Sequence, residues 1–276
     1  MKKLSYKKRI AVTAVLVVVV FAALFFYPLR SYAVMSVYSR YNYKSSVMQS
    51  RGFEIDMKGG FSTAKKDWYP FVNTYDTSYE FSRYTGEDLA LTVLYNFGAF
   101  DSLRSSSFYN EESGYFAAFY GAYVVHDESG EGMPYGFMDG KADIDEIAQV
   151  AMFDYKYLVI QDLGCDNPVF ELTKYDTLEN TDYIGYSGWT RIDAKMLSNS
   201  PSHTRVEKKL GYIQYGQPRD NGKDDFYTID LYGRMYARYF EEYESTIVIY
   251  VMGADQDIID ECDGEILSAT KIYSKE

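Results

Sequence analysis

Two histidines, two cysteines and 40 acidic side chains are the residues of this chain that could do chemistry. His126 is followed by Asp127 and Glu128, the composition of a base with an orienting acid. Neighbours on a strand point to opposite faces, however, so the triplet reads as a solvated turn and not a dyad. Gly185-Tyr186-Ser187-Gly188 sets a serine between glycines, but a G-x-S-x-G strand-to-helix turn needs glycine at 189, where this chain has Trp189. Cys165, Cys262, His126 and His203 show no zinc-ligand spacing. Asp220-Asn221-Gly222-Lys223-Asp224-Asp225 and Asp255-Gln256-Asp257 could offer oxygens to calcium, yet neither follows the EF-hand order, and a hairpin turn and a helix cap account for them. A glycosidase carboxylate pair could sit almost anywhere among so many acids, which is why abundance carries no information. No catalytic residue, metal ligand or cofactor is assigned.

The other chemical excess is aromatic: 30 Tyr, 17 Phe and two Trp. Tyrosine suits pleated, half-buried strands, so most of these rings serve the fold. Any left at the surface would offer an aromatic plane with a polar tip to sugars or protein partners, and Trp68 and Trp189 are the candidate binding residues on that ground. Charge narrows the partner. Beyond Arg30 the chain holds 22 basic against 40 acidic residues, a net of −18, which disfavours nucleic acid and other polyanions.

What must position these groups begins with the apolar run from Ile10 to Leu29, preceded by Lys2, Lys3, Lys7, Lys8 and Arg9. Twenty residues at about 1.5 Å each match a hydrocarbon thickness of about 30 Å, and a basic head marks the cytoplasmic side. The expectation is a cytoplasmic head at 1–9, a transmembrane signal anchor at 10–29, a stalk or a helical continuation of the span at 30–51, and an extracellular domain at 52–276. The competing reading is a secretory signal cleaved after Ala33, in the Ser31-Tyr32-Ala33 triplet; the apolar run is longer than such signals carry. Outside the cell a Cys165–Cys262 disulfide is allowed, although Cys262 falls with Ile258, Ile259 and Ile266 on one side of a predicted helix, where a thiol packs as a small hydrophobe; the pairing stays open.

The expected domain is α+β, mainly an antiparallel sheet with a few helices. Phe53–Met57 alternates with period two before Gly59-Gly60. Strands are predicted at 79–84, 89–97, 115–125, 155–160, 169–172 and 189–193. A meander follows at 205–215, 226–231, 234–240 and 246–252, with reversals at Asp220-Asn221-Gly222 and Tyr232-Gly233. Tyr232, Tyr236, Tyr239 and Tyr243 also fit a helical stripe, and aromatic strand propensity decides against it. Helices are predicted near 143–153, where Asp143-x-x-Glu146 is a start signal, and 257–268 behind Asp257.

The tail, a glycine-turned hairpin, the strand ending Tyr250-Val251-Met252 and the helix closing on Ile266-Leu267-Ser268-Ala269-Thr270-Lys271-Ile272, resembles the end of the PsbP-like α/β sandwich family. The resemblance covers roughly residues 226–273 and the Gly52-Phe53-Glu54-Ile55-Asp56 strand. It implies a fold and a binding or assembly role without a shared catalytic site, and no residue carries over as functional. The function expected is therefore a membrane-anchored extracellular binding or assembly module, held to the membrane by its N-terminal helix and contacting neutral wall glycan or an envelope protein. The alternative is a cell-surface hydrolase acting on glycan through carboxylates.

Overall fold

A computed structural model describes residues 5–25, 27–62, 67–98, 106–130, 132–202 and 226–275. The chain opens with α1 (Tyr6–Phe25) and α2 (Tyr27–Tyr43). Among the described residues no helix is long and apolar enough to cross a membrane, which corrects the transmembrane anchor expected at 10–29. The reason lies in how α1 is spent. Its first turn is Tyr6-Lys7-Lys8-Arg9, so three of its described residues are cationic and its apolar stretch begins only at Ile10. α2 is polar and carries Arg30 and Arg40.

Nor does the segment 30–51 stand off as a stalk. Met35 on α2 is fully buried beneath the Tyr75 hydroxyl. Asn42 and Ser31 are buried as well, and Ser46 caps α3 (Val47–Ser50), whose first amide bonds Thr92 Oγ1 at 2.8 Å. The folded unit thus includes α2.

Next come β1 (Phe53–Asp56), β2 (Asn73–Asp76), α4 (Ser78–Thr85), β3 (Leu89–Phe97), β4 (Phe119–Asp127) and the short pair β5 (Phe137–Met138) and β6 (Lys141–Ala142). The helix α5 (Ile144–Met152) runs on into a π-helical turn at Phe153–Ile160. The chain closes with β7 (Phe170–Tyr183), β8 (Tyr186–Asn199), β9 (Thr228–Phe240), β10 (Ser245–Gly253), α6 (Gln256–Glu265) and β11 (Lys271–Ser274). Seven strands form one antiparallel sheet in the order β2-β3-β4-β10-β9-β8-β7, and β1 pairs with β11 beside it. The α+β architecture with a large antiparallel sheet is as expected.

Side chains alternate across this sheet, and each set builds its own core. On one face Leu91, Val93, Tyr95, Phe119, Tyr123, Val248 and Tyr250 pack under α4, α5 and the π-helical turn. On the other Leu94, Tyr120, Ala122, Val124, Ile247, Ile249 and Phe240 pack under α3, α6 and the β1–β11 ribbon. The three central strands are buried on both faces. At Gly121 a Cβ would lie 1.7 Å from Leu94 O, so only glycine lets β3 and β4 approach there.

Several expected elements change type. The strand predicted at 79–84 is α4, ended by Gly86 with φ +79°. The strand predicted at 155–160 is the π-helical turn. Tyr232-Gly233 is no reversal: β9 runs straight through, paired on both sides, and Met196 Cε and Met252 Cγ lie where a side chain at Gly233 would sit. The terminal helix starts one residue earlier, capped by Asp255 instead of Asp257. Cys165 and Cys262 form no disulfide with each other: they lie in the two opposite cores, with the sheet between them. The predicted strand at 205–215, the 220–222 turn and His203 lie outside the described residues.

Candidate functional site

The site begins with α2, which lies along β2 and leaves an open cleft where it meets the β1–β11 ribbon. Ser36, Ser39, Arg40 and Tyr43 enter from α2, Glu54 from β1, Phe71 and Thr74 from the approach to β2 and β2 itself, and Lys275 from just past β11. The cleft holds about 450 Å³ and is open to solvent. Its walls are fixed from behind. Ser39 Oγ accepts from Thr74 N at 2.9 Å, Asn42 Oδ1 accepts from Asp76 N at 3.3 Å, and Asn42 Nδ2 donates to Tyr38 O. At the far end Lys275 N donates to Gly52 O, closing the ribbon over the chain.

Electrostatically the cleft departs from the acidic surface around it. Lys275 Nζ donates to the Tyr43 hydroxyl, sits over that ring and lies 3.4 Å from Glu54 Oε2. The hydroxyl contact raises the lysine above its ordinary value, so it stays charged at neutral pH. Arg40 adds a second exposed cation, and Ser36, Ser39, Thr74 and Tyr43 supply hydroxyls beside the Phe71 ring. This set can recognise a polar ligand. It contains no nucleophile with a neighbouring base.

The groups singled out from sequence are elsewhere. Trp68 and Trp189, expected as exposed binding residues, are 2% and 0% exposed, and this corrects their placement. Trp68 packs edge-on against Tyr115 and Tyr120 at 5.1 and 4.9 Å, and Trp189 against Phe240 at 5.6 Å. Large rings gain most from leaving water, which is why they go to the core. His126 Nδ1 meets Glu244 O at 2.7 Å, whereas Asp127 accepts from the amides of Ser129 and Met133 and holds its own loop. The two do not pair.

Two polar clusters need an account because they could pass for active sites. Asp154, on the π-helical turn, is fully buried and accepts from the Tyr123 hydroxyl at 2.6 Å, while its Oδ1 has no partner among the described residues. Burial pushes this carboxyl well above the ordinary carboxylate range. It does not line the cleft between α2, β2 and the β1–β11 ribbon. On the other face Arg234 is held by Asp193 at 2.6 Å, Asp260 at 2.9 Å and Asp263 at 3.0 Å, and Asp263 also accepts from Tyr183 and Tyr236. Every donor there has a carboxylate, and the cluster ties α6 to β8 and β9 as a structural lock. No group of His, Cys, Asp and Glu among the described residues could hold a metal.

Comparison with protein-family models, curated proteins and solved structures finds no match.

Proposed function

We propose that the protein is a non-catalytic binding module of the cell envelope that takes neutral, polyhydroxylated glycan in the cleft between α2, β2 and the β1–β11 ribbon. The observation that carries this reading is the convergence of four hydroxyls, two cations, one carboxylate and two aromatic rings on a single open cleft, with no activated nucleophile among them. Mixed polar groups beside an aromatic face suit sugar hydroxyls and the apolar face of a sugar ring. The PsbP-like resemblance leans the same way, toward binding or assembly. The proposed setting is extracytoplasmic, with α1 in contact with lipid: Ile10, Val15, Val18 and Phe21 on that helix are all more than half exposed, an apolar surface that water does not favour.

Calorimetric titration of the full chain with neutral wall-glycan fragments tests the reading. Binding without release of reducing ends is expected, weakened about tenfold by Arg40→Ala or Phe71→Ala. Heat that survives both substitutions would place the ligand elsewhere, and reducing ends released in proportion to protein would favour the hydrolase.

A further inference from the structure

The sheet has two edges, and among the described residues no element covers the far one. β7 is 14 residues long where edge strands of about five or six are usual, and among the described residues no strand lies outside it. Natural edges are blunted by shortness, proline, lysine or bulges. This one has no proline and a single lysine, Lys174. Its bulges fall between Leu172 and Lys174, Leu178 and Thr181, and Thr181 and Tyr183. Between them Lys174–Leu178 keeps unbroken register with Lys195–Arg191, so five residues present a regular edge. Tyr175 and Leu178 are 46% and 58% exposed and, by parity, flank that edge on opposite faces.

We propose that β7 receives an extended, cationic segment of a partner protein as an eighth strand, paired along Lys174–Leu178. Charge selects this occupant. Lys174 pairs with Asp176 at 3.6 Å inside the stretch, and Glu171, Glu179 and Asp182 on the rest of the strand leave it net acidic, so a second copy of the chain would bring two net acidic edges together, whereas a cationic segment would meet net opposite charge. Backbone pairing supplies affinity, and β-branched residues beside Tyr175, on the face opposite Asp176, supply the remaining contact. The site is separate from the cleft and does not depend on what binds there.

The probe is a capped heptapeptide of alternating valine and lysine, added to the full chain, with the same peptide N-methylated at every inner residue as control. The outward-facing amides within Lys174–Leu178 are expected to exchange fast in the free protein and about tenfold slower with the peptide. Reversing two charges, Asp176→Lys with Glu179→Lys, should weaken binding about tenfold, and Asp176→Asn with Glu179→Gln by less. Equal binding of the N-methylated control would overturn the proposal, since charge alone would then suffice. So would slow exchange in the free monomer, which would mean the chain covers its own edge. Protection that rises with protein concentration would assign the edge to a second copy and overturn it equally.

Discussion

The two edges of the sheet are treated in opposite ways. β2 is four residues long and lies under α2, whose Ser39 and Asn42 side chains take the amides of Thr74 and Asp76 that would otherwise face water. β7 is more than three times as long and carries no such cover among the described residues. A helical strap and a pair of side-chain acceptors thus close one edge, while among the described residues bulges and charge protect the other. Closing an edge with a helix also creates a concave seam, so the covered edge carries the cleft where glycan binding is proposed, and the edge without cover among the described residues is where strand pairing is proposed.

The largest effect should come from prising off the strap. Met35→Ala removes a fully buried side chain between α2 and Tyr75 and should cost about 2–5 kcal/mol in urea denaturation. Exchange at Asn73–Asp76 should accelerate with it, and exchange at β7 should not. If both edges accelerate together, the strap is part of the global fold and the contrast between edges fails.

A second test moves the centre of the sheet. The Asp154 carboxyl is raised in the fold, so between its unfolded value near 3.8 and its higher native value the folded state holds a proton that the unfolded state has lost. Stability should therefore be greatest at acid pH and fall by up to about 1.4 kcal/mol per pH unit as pH rises through that window. Asp154→Asn should flatten the slope while keeping an acceptor for Tyr123. Because this residue lies over the central strands, raising pH should loosen both edges alike. A profile unchanged by the substitution would show that another group sets the pH response.

Sequence made the centre legible and the edges obscure. β3 was expected at 89–97 and is found there, because a strand buried on both faces leaves a continuous apolar run. The start of α5 was readable from Asp143, whose carboxylate takes the amides of Asp145 and Glu146. Aromatic propensity misled at 79–84, where Phe81 and Tyr84, three apart, both pack on the core and Gly86 supplies a left-handed cap; that glycine was the available signal. The run at 153–160 is apolar on nearly every side, a case in which periodicity cannot separate strand from helix. The cleft was out of reach for a different reason. Its residues come from positions 36–43, 54, 71–74 and 275, joined only by tertiary packing. The tryptophans were offered as ligands for sugars, a role that ignored how much those rings gain by burial.

A smaller effect is expected at the acceptors. Asn42→Ala leaves Asp76 N without its partner and should cost about 1 kcal/mol, with faster exchange at that one amide as the signature. Replacing Ser39 by alanine should act likewise on Thr74 N. A null result for both would mean that water replaces the side chains without loss, and that α2 closes the edge by bulk alone.

The smallest change is predicted on β7 itself. Leu178 is 58% exposed, so Leu178→Lys removes little buried apolar surface and should shift stability by no more than about 0.5 kcal/mol. Its visible consequence should be colloidal, because a lysine on an open edge discourages edge-to-edge association; light scattering of concentrated protein should fall while the thermal midpoint holds. A loss of about 2 kcal/mol or more would be the signature of a covered leucine. In that event β7 would be as closed as β2, only by a different means, and the asymmetry between the edges would disappear.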